Sequence, residues 1–195
     1  MTFQYIIFNK PYDVLSQFTP AINHQSLSDF GFPKNVYPAG RLDADSEGLL
    51  LLTDDGNFAH QLIDRKYGHS RTYWVQVERI PSSESLAKLE KGVIIEGKKT
   101  KPAKVRLLPD APDLPERSKP IRYRKNISTA WIEITLTEGR NRQVRKMTAA
   151  IGHPTLRLIR ITIMSLTLEN LNPGQWRKLN EKEVTELKRL FKKRS

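Results

Sequence analysis

The chain has no cysteine, which excludes disulfides, thiolate metal ligands and a cysteine nucleophile together. Long apolar runs are missing as well. The N-terminus, MTFQYIIFNKP, offers only Tyr5-Ile6-Ile7-Phe8 where a secretory leader needs about seven apolar residues. No segment approaches the roughly 18 residues of a membrane span. These absences predict a cytoplasmic protein without membrane association. Acidic residues are in deficit: 21 Asp plus Glu face 33 Lys plus Arg, for a formal net charge of +12. A polyanion, nucleic acid above all, is the partner such a surface selects. Ribosome-bound scaffolds and membrane-surface proteins carry similar charge, so the motifs must decide among these. The histidines, His24, His60, His69 and His153, share no spacing and no clustered carboxylates, which predicts no metal site. At 195 residues, without repeats or low-complexity segments, one catalytic-size domain over 1–195 is expected.

What is present reads as strands interleaved with short helices, an α+β pattern rather than a parallel βαβ series. Phe3–Phe8 is predicted as the first strand, broken by the turn Asn9-Lys10-Pro11-Tyr12-Asp13. Leu49–Thr53 is a second, followed by helical spacing over 57–63. Arg71–Val77 alternates as a strand, and Pro81-Ser82-Ser83-Glu84 opens a helix that Gly92 closes. Short strands are predicted at 93–95 and 103–107, around the basic turn 97–101. Residues 109–126 hold four prolines and the cations Arg117, Lys119, Arg122, Arg124 and Lys125, the pattern of an irregular loop that either contacts RNA or is a solvated connector. Ala130–Thr137 is predicted as a strand, Arg142–Ile151 as a helix stopped at Gly152-His153-Pro154, and 156–161 and 164–168 as two further strands. Asn180 caps a closing helix that runs from Glu181 and Glu183 to Lys188, Arg189, Lys192, Lys193 and Arg194, complementing the helix dipole at both ends.

The most informative stretch is Gly40 to Gly56, GRLDADSEGLLLLTDDG, an acidic, glycine-bounded turn running into Leu49-Leu50-Leu51-Leu52. Asp43 is either a carboxylate presented at a cleft or, with Asp45, Ser46 and Glu47, part of a solvated turn before a buried strand. Tyr73 is either a core tyrosine or a ring exposed to a ligand. In Glu138–Met147, EGRNRQVRKM, a helix starting near Arg142 puts Arg145 on the same face one turn on, with Val144 and Met147 turned to a core.

GRLDADSEGLLLLT, Asn9-Lys10-Pro11, Arg71-Thr72-Tyr73-Trp74-Val75, EGRNRQVRKM and HPTLRLIR occur in the order in which pseudouridine synthases of the RsuA/RluA-like group carry their motifs. Over nearly the whole chain the sequence resembles that family, most closely its RsuA branch. The resemblance implies the pseudouridine synthase fold: a bilobed, mixed but mainly antiparallel sheet with flanking helices and a catalytic cleft. Its two subdomains span roughly 1–65, with strands contributed from the C-terminal part, and 66–195. It implies Asp43 as nucleophile, Tyr73 against the target uracil, and Arg145 paired with Asp43, Arg142 being the other arginine in reach. Arg41, Leu42, Arg140 and Arg142 become substrate or phosphate contacts, Lys10 either a substrate or phosphate contact or a structural residue of its turn, and Leu158 the aliphatic residue that closes the site. No cofactor or metal is implied. The expected partner is 23S rRNA or a large-subunit precursor, met by a monomer, with 16S rRNA or tRNA as alternative substrates and an idle rRNA-binding assembly factor as the non-enzymatic alternative. Many relatives open with a small S4-type RNA-binding module. None is read here, so target selection is expected from loops 97–104 and 117–126.

Overall fold

The computed structural model describes residues 3–121, 127–168 and 170–192. It begins with β1 (Tyr5–Lys10), β2 (Val14–Leu15), β3 (Gln25–Ser26), β4 (Tyr37–Pro38), β5 (Glu47–Thr53) and α1 (Gly56–Ile63). There follow β6 (Arg71–Glu78), α2 (Ser83–Lys91), the hairpin of β7 (Ile94–Ile95) and β8 (Lys98–Lys99), and β9 (Lys104–Leu107). The chain continues with β10 (Thr129–Leu136), α3 (Gln143–Ala150), β11 (Thr155–Ile163), β12 (Leu166–Thr167), β13 (Trp176–Lys178) and α4 (Glu181–Lys192).

One mixed sheet runs β13-β1-β5-β11-β6-β10-β9, with β4 on β5 and β12 on β11. Its pairings among the described residues are antiparallel except one: β5 and β11 run parallel, through Ile159 beside Glu47 and Arg160 beside Gly48. This α+β architecture with a mainly antiparallel sheet is the one the sequence predicted. The short parallel seam joins the two halves of the sheet and sets the turn before β5 beside the β11–β6 face.

Side-chain pattern explains which strands are buried on both faces. Every residue of β1 and of β5 is buried. On one side α1 and α4 lay Phe58, Leu62, Leu187 and Phe191 over Ile7, Leu49 and Leu51. On the other, Leu27, Phe30, Phe32 and Trp176 cover Ile6, Phe8, Leu50 and Leu52. Continuous apolar runs suit such doubly covered strands. Each of the four leucines Leu49–Leu52 is fully buried, which is worth about 2 kcal/mol apiece and holds the strand in register. β6 and β10 alternate instead: Val75, Val77, Ile132, Ile134 and Leu136 face Leu89 of α2 and Val144 and Met147 of α3. Asn180 caps α4 in a reciprocal box with Glu183, at 3.0 and 2.8 Å.

The short strands β2, β3, β4 and β8 were not predicted, being two residues each. The two strands predicted at 156–161 and 164–168 are β11 and β12; β11 is longer than expected, nine residues with register shifts at Thr155/Arg157 and Arg160/Thr162, and a turn at Met164 in the left-handed region leads to the short β12. β13 was not anticipated; three residues, WRK, are too few to show a period, and only pairing to β1 makes them a strand. The predicted roles of Arg122, Arg124, Lys125, Lys193 and Arg194 lie outside the described residues. Among the described residues no helix is long and apolar enough to cross a membrane.

Candidate active site

The turn before β5 is held from the N-terminal side. Ser16 Oγ donates to the Leu42 carbonyl at 2.8 Å and accepts from the Leu42 amide at 3.1 Å. The Asp13 amide donates to the Ala44 carbonyl at 2.7 Å, and the Ser46 amide closes the turn on the Asp43 carbonyl at 3.0 Å. Leu42 is buried by this clamp while Asp43, between it and Ala44, keeps 41% of its side chain exposed. The carboxylate is thus presented on rigid backbone rather than on a free loop.

Arg142 precedes α3 with φ 51° and ψ 34°, a left-handed conformation that turns its side chain back across the cleft. Its guanidinium grips Asp45 in bidentate fashion at 3.1 and 2.8 Å, and its Nη1 also lies 3.5 Å from Asp43 Oδ2. Arg145 lies one turn on and deeper, 14% exposed. Its Nη2 donates to the Asp45 carbonyl at 2.6 Å and its Nε stands 3.3 Å from Asp45 Oδ2. The pairing of Arg145 with Asp43 is therefore corrected: Asp45 takes Arg145, and Arg142 is the arginine beside Asp43. The reason is geometric, since the left-handed residue swings Arg142 toward the exposed end of the turn while Arg145 projects beneath it. Burial alone would raise the Asp45 carboxyl, but the Arg142 hydrogen bonds and the Arg145 charge hold it below the usual carboxylate range. Burial pushes the Arg145 guanidinium down, and Asp45 opposes that shift.

Gly40 through Asp43, Arg71, Tyr73, Leu158, Arg160 and the 138–144 segment line one cleft of about 400 Å³, the size of a nucleoside-scale pocket. Tyr73 sits on β6 with β11 alongside, its register partner being Arg160. Leu158, on the same face, is 94% buried and lines the floor. Arg41 is exposed at the rim, with no ion-pair partner among the described residues. The structure thus gathers Asp43, Tyr73, Leu42, Leu158, Arg41 and Arg142 at one opening.

Two predicted substrate contacts have other occupations. Arg140 donates to the carbonyls of Lys98 and Lys99 at 3.2 and 2.7 Å and pairs with Glu138, tying the β7–β8 hairpin to the cleft wall. Lys10 is corrected from substrate contact to internal brace. It is fully buried, and its Nζ donates to the carbonyls of Pro11 and Val14 at 2.8 and 2.7 Å and reaches that of Ala44 at 3.5 Å. A lysine flanked by strand β1 and a turn rich in carbonyls satisfies its three donors inward. Burial lowers its pKa to about 7, against the opposing charges of Glu47, Asp45 and Asp43.

That shift has a testable sign. The unfolded chain holds the Lys10 proton up to about 10.5 and the folded one only to about 7. Between those values the unfolded state binds more protons, so stability rises with pH; below 7 the full burial cost is present. Urea unfolding from pH 6 to pH 10 is expected to show wild type gaining stability relative to Lys10→Met, by up to about 4 kcal/mol. Parallel profiles for the two proteins would contradict the assignment.

Sequence reasoning passed over Asp45, Ser16, Arg71 and Arg160. Asp45 carried a signal, as the second acid of DADSE two residues after Asp43; sheet register brings Arg71 and Arg160 to the site, and Ser16 joins it through its hydrogen bonds to the Leu42 backbone. Gln143 bridges Glu138 at 2.7 Å and the Arg140 amide at 2.9 Å, fixing the loop that leads into α3. Among the described residues no group of His, Asp and Glu is placed to share a metal ion.

A presented aspartate, arginines held across the opening and a tyrosine on the cleft floor define a class of enzyme when set on this sheet. A sequence profile of the RNA pseudouridylate synthase family matches residues 4–150, and the chain belongs to that family; it is an RNA pseudouridine synthase, an isomerase. Within the family it is 53% identical to ribosomal large subunit pseudouridine synthase E of Xanthomonas campestris over 174 residues, 88% of this chain and 93% of that protein. The enzyme of the same name from Vibrio parahaemolyticus is also 53% identical, over 89% of this chain and 73% of its own length. A solved pseudouridylate synthase superposes with a TM-score of 0.79 at 29% identity, over 95% of this chain and 74% of that one.

Proposed function

We propose that this chain converts one uridine of 23S rRNA to pseudouridine, with Asp43 as the nucleophile. The observation that carries the reading is the Asp43 carboxylate on the rim of a cleft floored by Tyr73 and Leu158, with Arg142 Nη1 3.5 Å away. Isomerisation breaks the C1′–N1 bond, turns the uracil and joins C5 to C1′, with no net redox change. A carboxylate suits this chemistry because it either adds to C1′ or takes the 2′ proton, and is released in the end. Arg142 sets a positive charge 3.5 Å from the Asp43 carboxylate. Arg145 and Asp45 act through Arg142 as positioning residues.

Tyr73 stacks on the detached uracil and accepts the proton lost from C5, directly or through water, while Leu158 packs against the ring. The uridine must be flipped out to reach them, and Arg41 and Arg142 at the rim hold the flanking phosphates. Large-subunit rRNA as substrate is supported by the names of the two relatives, whose lengths the chain largely spans. We read the enzyme as a cytoplasmic monomer of one catalytic domain, with subdomains of roughly 1–65 and 66–195. Tritium release from C5-tritiated, unmodified 23S, 16S and tRNA transcripts tests the proposal. Release from 23S rRNA alone is expected; release from another RNA would reassign the substrate, and none from any RNA would favour the assembly-factor alternative.

A further inference from the structure

The cleft floor carries cationic charge that the roles assigned to Asp43, Tyr73 and Arg142 leave unused. Arg71 and Tyr73 share one face of β6, and the register of β11 sets Arg160 directly beside Tyr73 on that face. Arg160 is 95% buried; its Nε donates to the Leu49 carbonyl at 2.7 Å, and its Nη2 has no hydrogen-bond partner among the described residues. Arg71 donates to the Leu62 carbonyl at 3.0 Å. Neither guanidinium has a carboxylate partner among the described residues, whereas Arg142, Arg145 and Arg157 each have one. Burial pushes the Arg71 guanidinium down, Tyr73 opposes that shift, and repulsion from Arg160 adds a smaller push in the same direction as burial. Burying a cation with an idle donor is unfavourable unless a ligand uses it.

Position decides which part of a flipped uridine that ligand is. The phosphates stay with the RNA backbone at the mouth, where Arg41 and Arg142 are exposed. The base enters deepest, and there it offers carbonyl oxygens O2 and O4. When the C1′–N1 bond breaks, its electron pair stays with the ring, and the charge spreads from N1 onto both oxygens. The pair is returned when C5 bonds to C1′, the C5 proton leaves and N1 takes up a proton.

We propose that the Arg160 guanidinium, which lines the cleft beside Tyr73, faces the uracil carbonyl side of the ring and stabilises the ring anion formed as the glycosidic bond breaks, with Arg71 adding its charge from two residues along β6. Arg160 keeps its own protons throughout, so it acts as a fixed electrostatic catalyst rather than an acid. The inference rests on the pseudouridine synthase reading and adds the group that carries the leaving charge.

The test compares wild type, Arg160→Gln and Arg160→Lys under single turnover on a 23S rRNA fragment, with uridine or 5-fluorouridine at the target. Nuclease digestion and chromatography follow loss of the target nucleoside. Fluorine itself stabilises the ring anion and so relieves a missing anion stabiliser, whereas a defect in RNA binding or folding persists on both bases; loss of the C1′–N1 bond, which precedes C5 deprotonation, is the step compared. Arg160→Gln is expected to be slower by about 10²–10³-fold on uridine, and by about tenfold less than that on 5-fluorouridine. Arg160→Lys, which keeps the charge, is expected between wild type and Arg160→Gln. RNA affinity and Tm are expected to stay near wild type. Equal deficits on both bases, or an Arg160→Gln rate within about threefold of wild type, would overturn the proposal. If Arg160→Gln fails to fold, the same comparison with Arg160→Lys decides. Failure of wild type to convert either substrate would count against the function itself rather than against Arg160.

Discussion

Asp43→Asn is expected to lower pseudouridine formation by about 10⁴-fold or more while RNA affinity and folding stay unchanged. The amide keeps the size and the hydrogen-bonding outline of the carboxylate but lacks the negative charge with which it attacks carbon or removes a proton. Little of the scaffold depends on that charge. The side chain is 41% exposed, and its one ionic contact among the described residues, Arg142 at 3.5 Å, is long, whereas Arg142 keeps its bidentate grip on Asp45. Backbone contacts from Ser16 and Asp13 hold the turn whatever stands at position 43. Tritium release from C5-labelled RNA, filter binding and a melting curve on the same preparation check the three parts. Product at more than about a hundredth of the wild-type rate would remove Asp43 from the nucleophile's role.

Gly48→Ala is expected to be the most damaging single methyl addition to this fold. Gly48 has φ +103°, and a Cβ there would lie 2.3 Å from the Arg160 carbonyl oxygen and 2.8 Å from its nitrogen. Both neighbours are backbone, so no rotamer change relieves the contact. Gly48 and Arg160 are register partners in the parallel seam, and separating them opens the joint between β5 and β11. A cost of about 4–5 kcal/mol or more follows, with a fall in Tm of roughly 10 °C or more. The seam also sets the distance from the Asp43 turn to Tyr73 and Leu158, so whatever folded protein survives should be slow. Thermal unfolding of the purified variant measures it. A Tm within about 2 °C of wild type would show that the strands meet there with room to spare.

Much of the fold could be read along the chain because the signals are short-range. Four consecutive leucines mark a strand covered on both faces; the alternation of RTYWVQV marks one covered on a single face. Asn180 three residues before Glu183, and Ser82 before Ser85, mark helix starts that the side chains do cap. The two strands expected at 156–161 and 164–168 are β11 and β12, but β11 runs two residues further than expected and the register shifts along it were not legible in its alternation. Of the site, Asp43, Tyr73 and Leu158 were found because each sits in a segment whose residues resemble a family motif. For Lys10 the motif left a structural and a phosphate-facing role open, because it shows that a lysine stands there but not which way its ammonium turns; the fold turns it inward.

The sequence by itself determined the α+β class, the basic surface, the family and the aspartate on its glycine-bounded turn, all of which follow from residue type and spacing within about ten positions. Tertiary structure decided the partners. Whether Arg142 or Arg145 meets Asp43 depends on one left-handed residue at the start of α3 and on a seam between strands more than a hundred positions apart. The placing of Arg160 beside Tyr73 depends on sheet register alone. Charge pairing acts through space over a few ångströms, and no local pattern encodes which distant side chains the fold will bring within that range.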